Sequence, residues 1–269
     1  RMRRTFLIGS PLIWPTLVSL VIVYAYGWRC KYGYGFVQTG GIFVWAPYSD
    51  TEISINGAVE GITSFLNRGL YVSDLAPSAY EVSVQRDGYR GWKRTVVVEP
   101  LLVSDVRVLL VPEIIELTPL SSLAPATSTS FVPAERLDAF AAVFAATTTA
   151  STTVPVSTQD SIGLFINEKK DLIARWLGGG VPPSTFCGRP SYCQEEIVLD
   201  REEVVTRAFF FGGGVVYRTS KGVVRLVEAD IRPEPVRVVL YESTGADVSL
   251  INGELIIKDG ARFLRVGAF

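Results

Sequence analysis

The chain has 269 residues, with 26 lysines and arginines against 27 aspartates and glutamates, and no histidine. So even a balance provides no field to recruit nucleic acid, which is excluded as a partner on that ground. The lack of histidine removes Ser-His-Asp triads and histidine-containing zinc sites. The length accommodates an anchor and two domains of about 80 to 110 residues each.

The chain opens on Arg1-Met2-Arg3-Arg4, continues with an uncharged, largely apolar run from Phe6 to Trp28, and closes that run with Arg29-Cys30-Lys31. Such a run exceeds the roughly 20 residues a helix needs to span a bilayer, and its flanks are cationic and aromatic. Residues 1–31 are therefore predicted to be a transmembrane anchor. Three arginines before the run against Arg29 and Lys31 after it orient the N-terminus inside and the body outside. A cleaved signal peptide ending at Ala25-Tyr26-Gly27 is the rival, although the run is longer than the roughly 7 to 15 apolar residues of a signal. Cys30 is read as unmodified, because Gly27-Trp28-Arg29 is too bulky and charged for a lipoprotein signal. Pro11 and Pro15 predict a kink or a late helix start. The run holds no ionisable residue, and nothing points to transport.

Residues 36–113 turn to period-two alternation, as in Glu52-Ile53-Ser54-Ile55 and Tyr80-Glu81-Val82-Ser83-Val84, which marks half-buried strands. Ala46-Pro47-Tyr48-Ser49-Asp50, Asn56-Gly57, Ala76-Pro77-Ser78 and Arg86-Asp87-Gly88-Tyr89 supply the turns, and Thr95–Val98 and Val103–Val111 complete six or seven strands. This spacing predicts a small β-sandwich.

The order of these features resembles a PEGA domain. The match is carried by Leu75-Ala76-Pro77-Ser78 leading into Tyr80-Glu81-Val82-Ser83-Val84, then Gly88-Tyr89 and a valine-rich final pair. Ser78 stands where that family has glycine, and Pro47-Tyr48-Ser49-Asp50-Thr51 replaces the naming tetrapeptide. The resemblance implies an immunoglobulin-like β-fold of envelope and surface proteins with no catalytic residues. Tyr80, Tyr89 and Trp92 are read as core and turn anchors.

Residues 114–160 are rich in Ser, Thr, Ala and Pro and nearly uncharged, which predicts a mostly extended, mobile linker. Within it Pro133–Phe144 puts Leu137, Phe140, Ala141 and Phe144 at helical spacing, a short docking helix. The clusters Thr147–Thr149 and Ser151–Thr153 would suit a surface stalk.

Residues 161–269 again read as strands. Val215–Val227 and Leu255–Val266 align, each with three apolar residues, a basic residue, a turn and apolar-Arg-apolar, and Gly163–Trp176 is a weaker copy. The offset of about 40 residues resembles the blade period of WD-type β-propellers, but a closed propeller needs about four or more blades. The expectation is an incomplete propeller-like β-meander domain, or a shortened chain. Taken whole, the predicted fold class is all-β: anchor, PEGA-like sandwich, linker, propeller-like domain.

Cys187-Gly188-Arg189-Pro190-Ser191-Tyr192-Cys193 carries the strongest chemical signal. Two cysteines around a Gly/Pro turn, in a domain placed outside the cytoplasm, predict a disulfide. Free buried thiols are the alternative. The glycine runs at 178–180 and 212–214 lack the continuation of a phosphate loop. Glu195, Glu196, Asp200, Glu202, Glu203, Glu228 and Asp230 lack calcium-loop spacing, and are read as solvated turn residues. No catalytic, cofactor or metal residue is assigned. The expected role is binding or scaffolding of a protein or glycan at the cell envelope, without enzymatic activity. A carboxylate-based glycan hydrolase and a purely structural surface-layer component are the alternatives.

Overall fold

A computed structural model describes residues 2–120, 134–145 and 154–267. Among the described residues the fold is mostly β, with two α-helices. Helix α1 (Met2–Ala25) runs through Pro11 and Pro15, so it does not start late. Its side chains are described from Ile13 onward. Among the described residues no helix is long and apolar enough to cross a membrane, so the crossing helix expected within residues 1–31 is not found among them. What is found is a helix whose Ile13, Trp14, Leu17, Leu20, Val21 and Tyr24 are each 52 to 68 % exposed. Every residue from Ile13 to Ile22 is exposed, and ten successive positions at about 100° per residue cover all sides of the helix, so no apolar stripe of this segment is folded onto the body.

A hairpin follows, β1 (Trp28–Lys31) with β2 (Gly35–Gln38), carrying Trp28 stacked on Phe36 at 5.0 Å. Next come β3 (Gly40–Trp45), β4 (Glu52–Ile55), β5 (Ala58–Ile62), β6 (Gly69–Leu75), β7 (Ala79–Gln85), β8 (Trp92–Val97) and β9 (Val103–Arg107). They form two sheets, ordered β6-β3-β9 and β5-β4-β7-β8, with β3 and β9 parallel. Ile42, Val44, Ile53, Val82, Val84 and Trp92 fill the space between them. The turn signals are used as their chemistry dictates: Asn56 and Gly57 take φ of 50° and 80° in the two-residue β4–β5 hairpin, where both central residues must be left-handed.

The remaining strands build three four-stranded antiparallel sheets. The first is β11 (Ser157–Gln159), β12 (Ile162–Ile166), β13 (Leu172–Trp176) and β16 (Glu196–Asp200), interrupted by the small hairpin β14 (Cys187–Arg189) and β15 (Tyr192–Cys193). The second is β17 (Val205–Phe211), β18 (Gly214–Thr219), β19 (Val223–Val227) and β20 (Arg237–Glu242). The third is β21 (Ala246–Ile251), β22 (Glu254–Asp259) and β23 (Arg262–Val266), completed at its far edge by β10 (Leu117–Leu120), which pairs with β23 from ahead of the other two sheets in the chain. The three aligned sequence segments are the second and third strands of each sheet. Gly212 and Gly213, at φ of 59° and 79°, close the β17–β18 hairpin.

Among the described residues no closed propeller is formed: three such sheets stack in a row. Leu164, Ile166, Leu172 and Phe186 join the first sheet to Ala208, Val215 and Tyr217 of the second. Val216, Val224 and Leu226 join the second to Val248, Leu255 and Ile257 of the third. The third sheet's other face receives α2 (Ala134–Ala145), whose Phe140 and Phe144 pack on Ile256 and Phe263. That helix occupies the place a further sheet would take in a ring. β10 and β11 also fall within residues 114–160, two strands that the reading as a mostly mobile linker did not include, while α2 lies where the short docking helix was read. Both threonine clusters lie outside the described residues.

Candidate functional site

The sandwich and the sheet stack meet along a segment that belongs to both. In residues 108–111, Val108 and Leu110 point into the sandwich core while Leu109 and Val111 point into the core between the second and third sheets. Alternation along an extended chain sends successive side chains to opposite faces, and here both faces are buried. Gly214 lies against this segment: a Cβ there would come within 3.0 Å of Leu109.

Beside that seam lies a buried charge cluster. On β8 the inward positions are Trp92, Arg94 and Val96, and all three are buried. Arg94 projects to the stack and pairs with Glu228 through Nη2 and with Asp230 through Nη1, at 3.7 Å for the latter. The Trp92 indole N–H donates to Glu228 Oε1 at 3.2 Å, and Val236 N–H donates to Glu228 Oε2 at 3.2 Å. Arg232 holds Asp230 through Nε at 2.9 Å and Nη2 at 2.8 Å, and donates from Nη1 to the Asp105 carbonyl in the sandwich at 3.1 Å. The four charged side chains are at most 5 % exposed. Burial pushes the Glu228 carboxyl above its ordinary value, against the lowering pull of Arg94. Two guanidiniums face two carboxylates, so the cluster is neutral as a whole. That arrangement is how buried charge becomes tolerable.

The disulfide loop closes over the same seam. Cys187 and Cys193 are joined, and the preceding turn Ser184–Phe186 is anchored by the fully buried Phe186. Ser184 Oγ donates to Asp105 Oδ2 at 2.8 Å, and Ser191 donates to the Glu99 carboxylate from both N and Oγ at 2.8 Å. Between loop and sandwich lies a cleft of about 200 Å³ lined by Val97, Val103, Asp105, Pro182, Arg189 and Arg232. Tyr192 at the loop tip is 58 % exposed.

The acidic residues singled out in the sequence are scattered over several settings. Glu195 and Glu202 are exposed. Glu196 pairs with Arg175, and Glu203 with Arg225. Asp200 accepts the Tyr217 hydroxyl and the backbone N–H groups of Glu202 and Glu203, and burial together with that carboxylate pushes the Tyr217 phenol far up. Asp200, Glu228 and Asp230 are buried, not solvated turn residues as expected. Among the described residues no group of three or more Cys, Asp or Glu is placed to hold a metal ion. Glu228 and Asp230 both face Arg94, but they are buried and do not line an open cleft. Tyr80 donates to the Ala76 carbonyl at 2.9 Å, and the Tyr48 and Tyr89 rings, 5.0 Å apart, are both capped by the Arg86 guanidinium, at 4.5 and 4.6 Å.

The sequence reading missed Arg94, Arg232 and Asp105. One signal was available: Arg94 occupies an inward slot of the alternation Trp92-x-Arg94-x-Val96, where an unpaired arginine is not tolerated. No protein-family model matches the chain, and a search of curated proteins finds no match to it.

Proposed function

We propose that this chain is a single-pass, membrane-anchored protein of the cell envelope, with its N-terminus inside and its body extracytoplasmic, acting in binding or scaffolding. The observation that carries this reading is α1. A helix with three arginines at its start, uncharged from Phe6, and exposing apolar side chains over more than half the circumference of its described part lacks a protein packing partner for that surface, and a bilayer supplies one. The joined pair Cys187–Cys193 supports the same placement, since such bonds persist in oxidising compartments.

The body is suited to a mechanical and recognition role. The buried Arg94 and Arg232, with Ser184 and the exposed Ser191, hold the sandwich to the sheet stack. We read the sandwich as PEGA-like and the three sheets as blade-like units of an open propeller relative, whose loops meet a protein or glycan partner. Membrane fractionation with alkaline carbonate, followed by cross-linking on intact cells, tests the proposal. The expected result is carbonate-resistant sedimentation and a saturable cross-linked partner. Release by carbonate would overturn the anchor, and resistance without any saturable partner would favour a purely structural surface component.

A further inference from the structure

The end of the sandwich nearest α1 carries a second apolar surface, distinct from the helix. Thr39 at the start of the sandwich donates its N–H to the Gly27 carbonyl just after α1, and Leu101 donates its N–H to the Thr39 carbonyl, both at 2.9 Å. Arg29 clamps the same junction. Its Nη1 donates to the Tyr24 carbonyl at the helix end at 2.8 Å, and its Nε pairs with Asp74 at the end of β6 at 2.9 Å. The helix end, the β1–β2 hairpin and the turn Glu99-Pro100-Leu101-Leu102 are thus tied at one level.

That level is densely aromatic and aliphatic. Tyr26, Tyr32, Tyr34, Phe36 and Leu101 are each 53 % or more exposed, and Tyr32 is fully so. Leu101 stands at φ +61°, in a turn closed by the Leu102 N–H donating to the Glu99 carbonyl. Glycine or asparagine adopts that conformation freely, whereas leucine adopts it at a cost. Its Cδ2 lies against Gly27 just after α1, yet the side chain is left more than half exposed in that strained turn.

Resting on the reading of α1 as an anchor, we propose that the β1–β2 hairpin and the Pro100-Leu101 turn seat in the headgroup layer of the bilayer, as a second membrane contact beside the helix. Tyrosine and tryptophan rings favour that layer, where one end of the ring is apolar and the other wet. The patch is continuous with the helix end, which fixes it at the bilayer surface. The seat holds the sandwich against the membrane and sets its orientation. A comparable exposed apolar turn, Phe65 and Leu66 at 80 and 93 %, lies at the opposite end: β6 begins at Gly69 paired with Trp45 and ends at Leu75 paired with Gly40. It points away from the bilayer and serves as the control.

The full chain is reconstituted into vesicles of equal parts phosphatidylcholine and phosphatidylglycerol. A nitrobenzoxadiazole fluorophore is placed on Cys30, the exposed unpaired cysteine of the hairpin, or on Leu101→Cys or Phe65→Cys in a Cys30→Ser background. Quenching by a lipid with a headgroup nitroxide should be at least about two-fold stronger at 30 and 101 than at 65, as interfacial seating demands. Carbonate-resistant flotation with equal, weak quenching at all three positions overturns the proposal and leaves the anchor standing. Carbonate release with strong quenching at 30 and 101 sustains the interfacial contact and overturns the anchor. Failure to float overturns both. Leu101→Gly should leave the unfolding temperature unchanged or raise it, because glycine suits the turn. A lowered temperature would make Leu101 a packing residue and remove the turn from the proposal.

Discussion

Replacing Arg94 with leucine removes one of two cations from the buried cluster. Glu228 then loses its charged partner and keeps only the Trp92 and Val236 N–H groups, while Arg232 remains occupied with Asp230. Breaking a buried pair in this way costs about 3 to 5 kcal/mol, a large share of the roughly 5 to 15 kcal/mol that holds a domain folded. The cost depends on pH in a definite direction. Burial already raises Glu228, and Arg94 is the largest opposing influence, so its loss raises the folded value further above the unfolded one. A group so raised contributes stability at low pH, and that contribution is lost as pH climbs through the folded value. The Arg94→Leu penalty should therefore be largest at neutral pH and shrink at acidic pH, as Glu228 takes up a proton. Adding Glu228→Gln should recover most of the penalty, because the orphaned charge is gone. Urea unfolding of the detergent-purified chain, followed by tryptophan fluorescence at both pH values, measures all three. A loss under about 1 kcal/mol, within reach of a surface substitution, or a penalty independent of pH, would refute the reasoning.

Tyr217→Phe should cost about 1 to 3 kcal/mol by leaving Asp200 short of a donor. In the wild type the tyrosine's contribution is complete below its ordinary value of 10 and is lost as pH rises past it, because the folded phenol is pushed up. Alkaline denaturation monitored by circular dichroism should accordingly be flatter in the variant, and parallel curves would count against the assignment. Cys187→Ser with Cys193→Ser should lower stability by about 2 to 3 kcal/mol on the chain-entropy account of a short loop. It should also speed hydrogen exchange around Glu99 and Asp105, whereas exchange confined to the loop itself would show that it clasps nothing. Acid-trapped cells treated with a mass-shifting maleimide should show one reactive thiol per chain, that of Cys30. Three would mean the pair is reduced in place. Phe140→Ala should release α2 from Ile256 and Phe263, raising its hydrogen exchange while the first sheet stays protected. Loss of protection throughout would mean that α2 holds the whole stack together.

The sandwich was legible because its strands alternate cleanly and its turns carry Asn-Gly, Asp-Gly and proline signals that act within a few residues. The aligned strand pairs of the stack were legible for the same reason. The disulfide followed from two cysteines around a turn. What could not be read was long-range. β10 is four residues of ordinary composition, and only its pairing with β23, far along the chain, makes it a strand. α2 was visible as a helix, but its docking on Phe263 was not. The charge cluster joins residues separated by more than 130 positions, and each member reads locally as a surface charge. Arg94 alone left a trace, by interrupting an inward apolar series. The double-faced segment 108–111 reads as a uniformly buried run, and the division of its faces between two cores appears only once both are built.

The central claim is that the body stands outside the membrane on a single span. Phe65→Cys in a Cys30→Ser background places one exposed thiol at the end of the sandwich remote from α1, and a membrane-impermeant maleimide applied to intact spheroplasts reads its side directly. The account expects full labelling before lysis, unchanged after it. Labelling that appears only after lysis would contradict it.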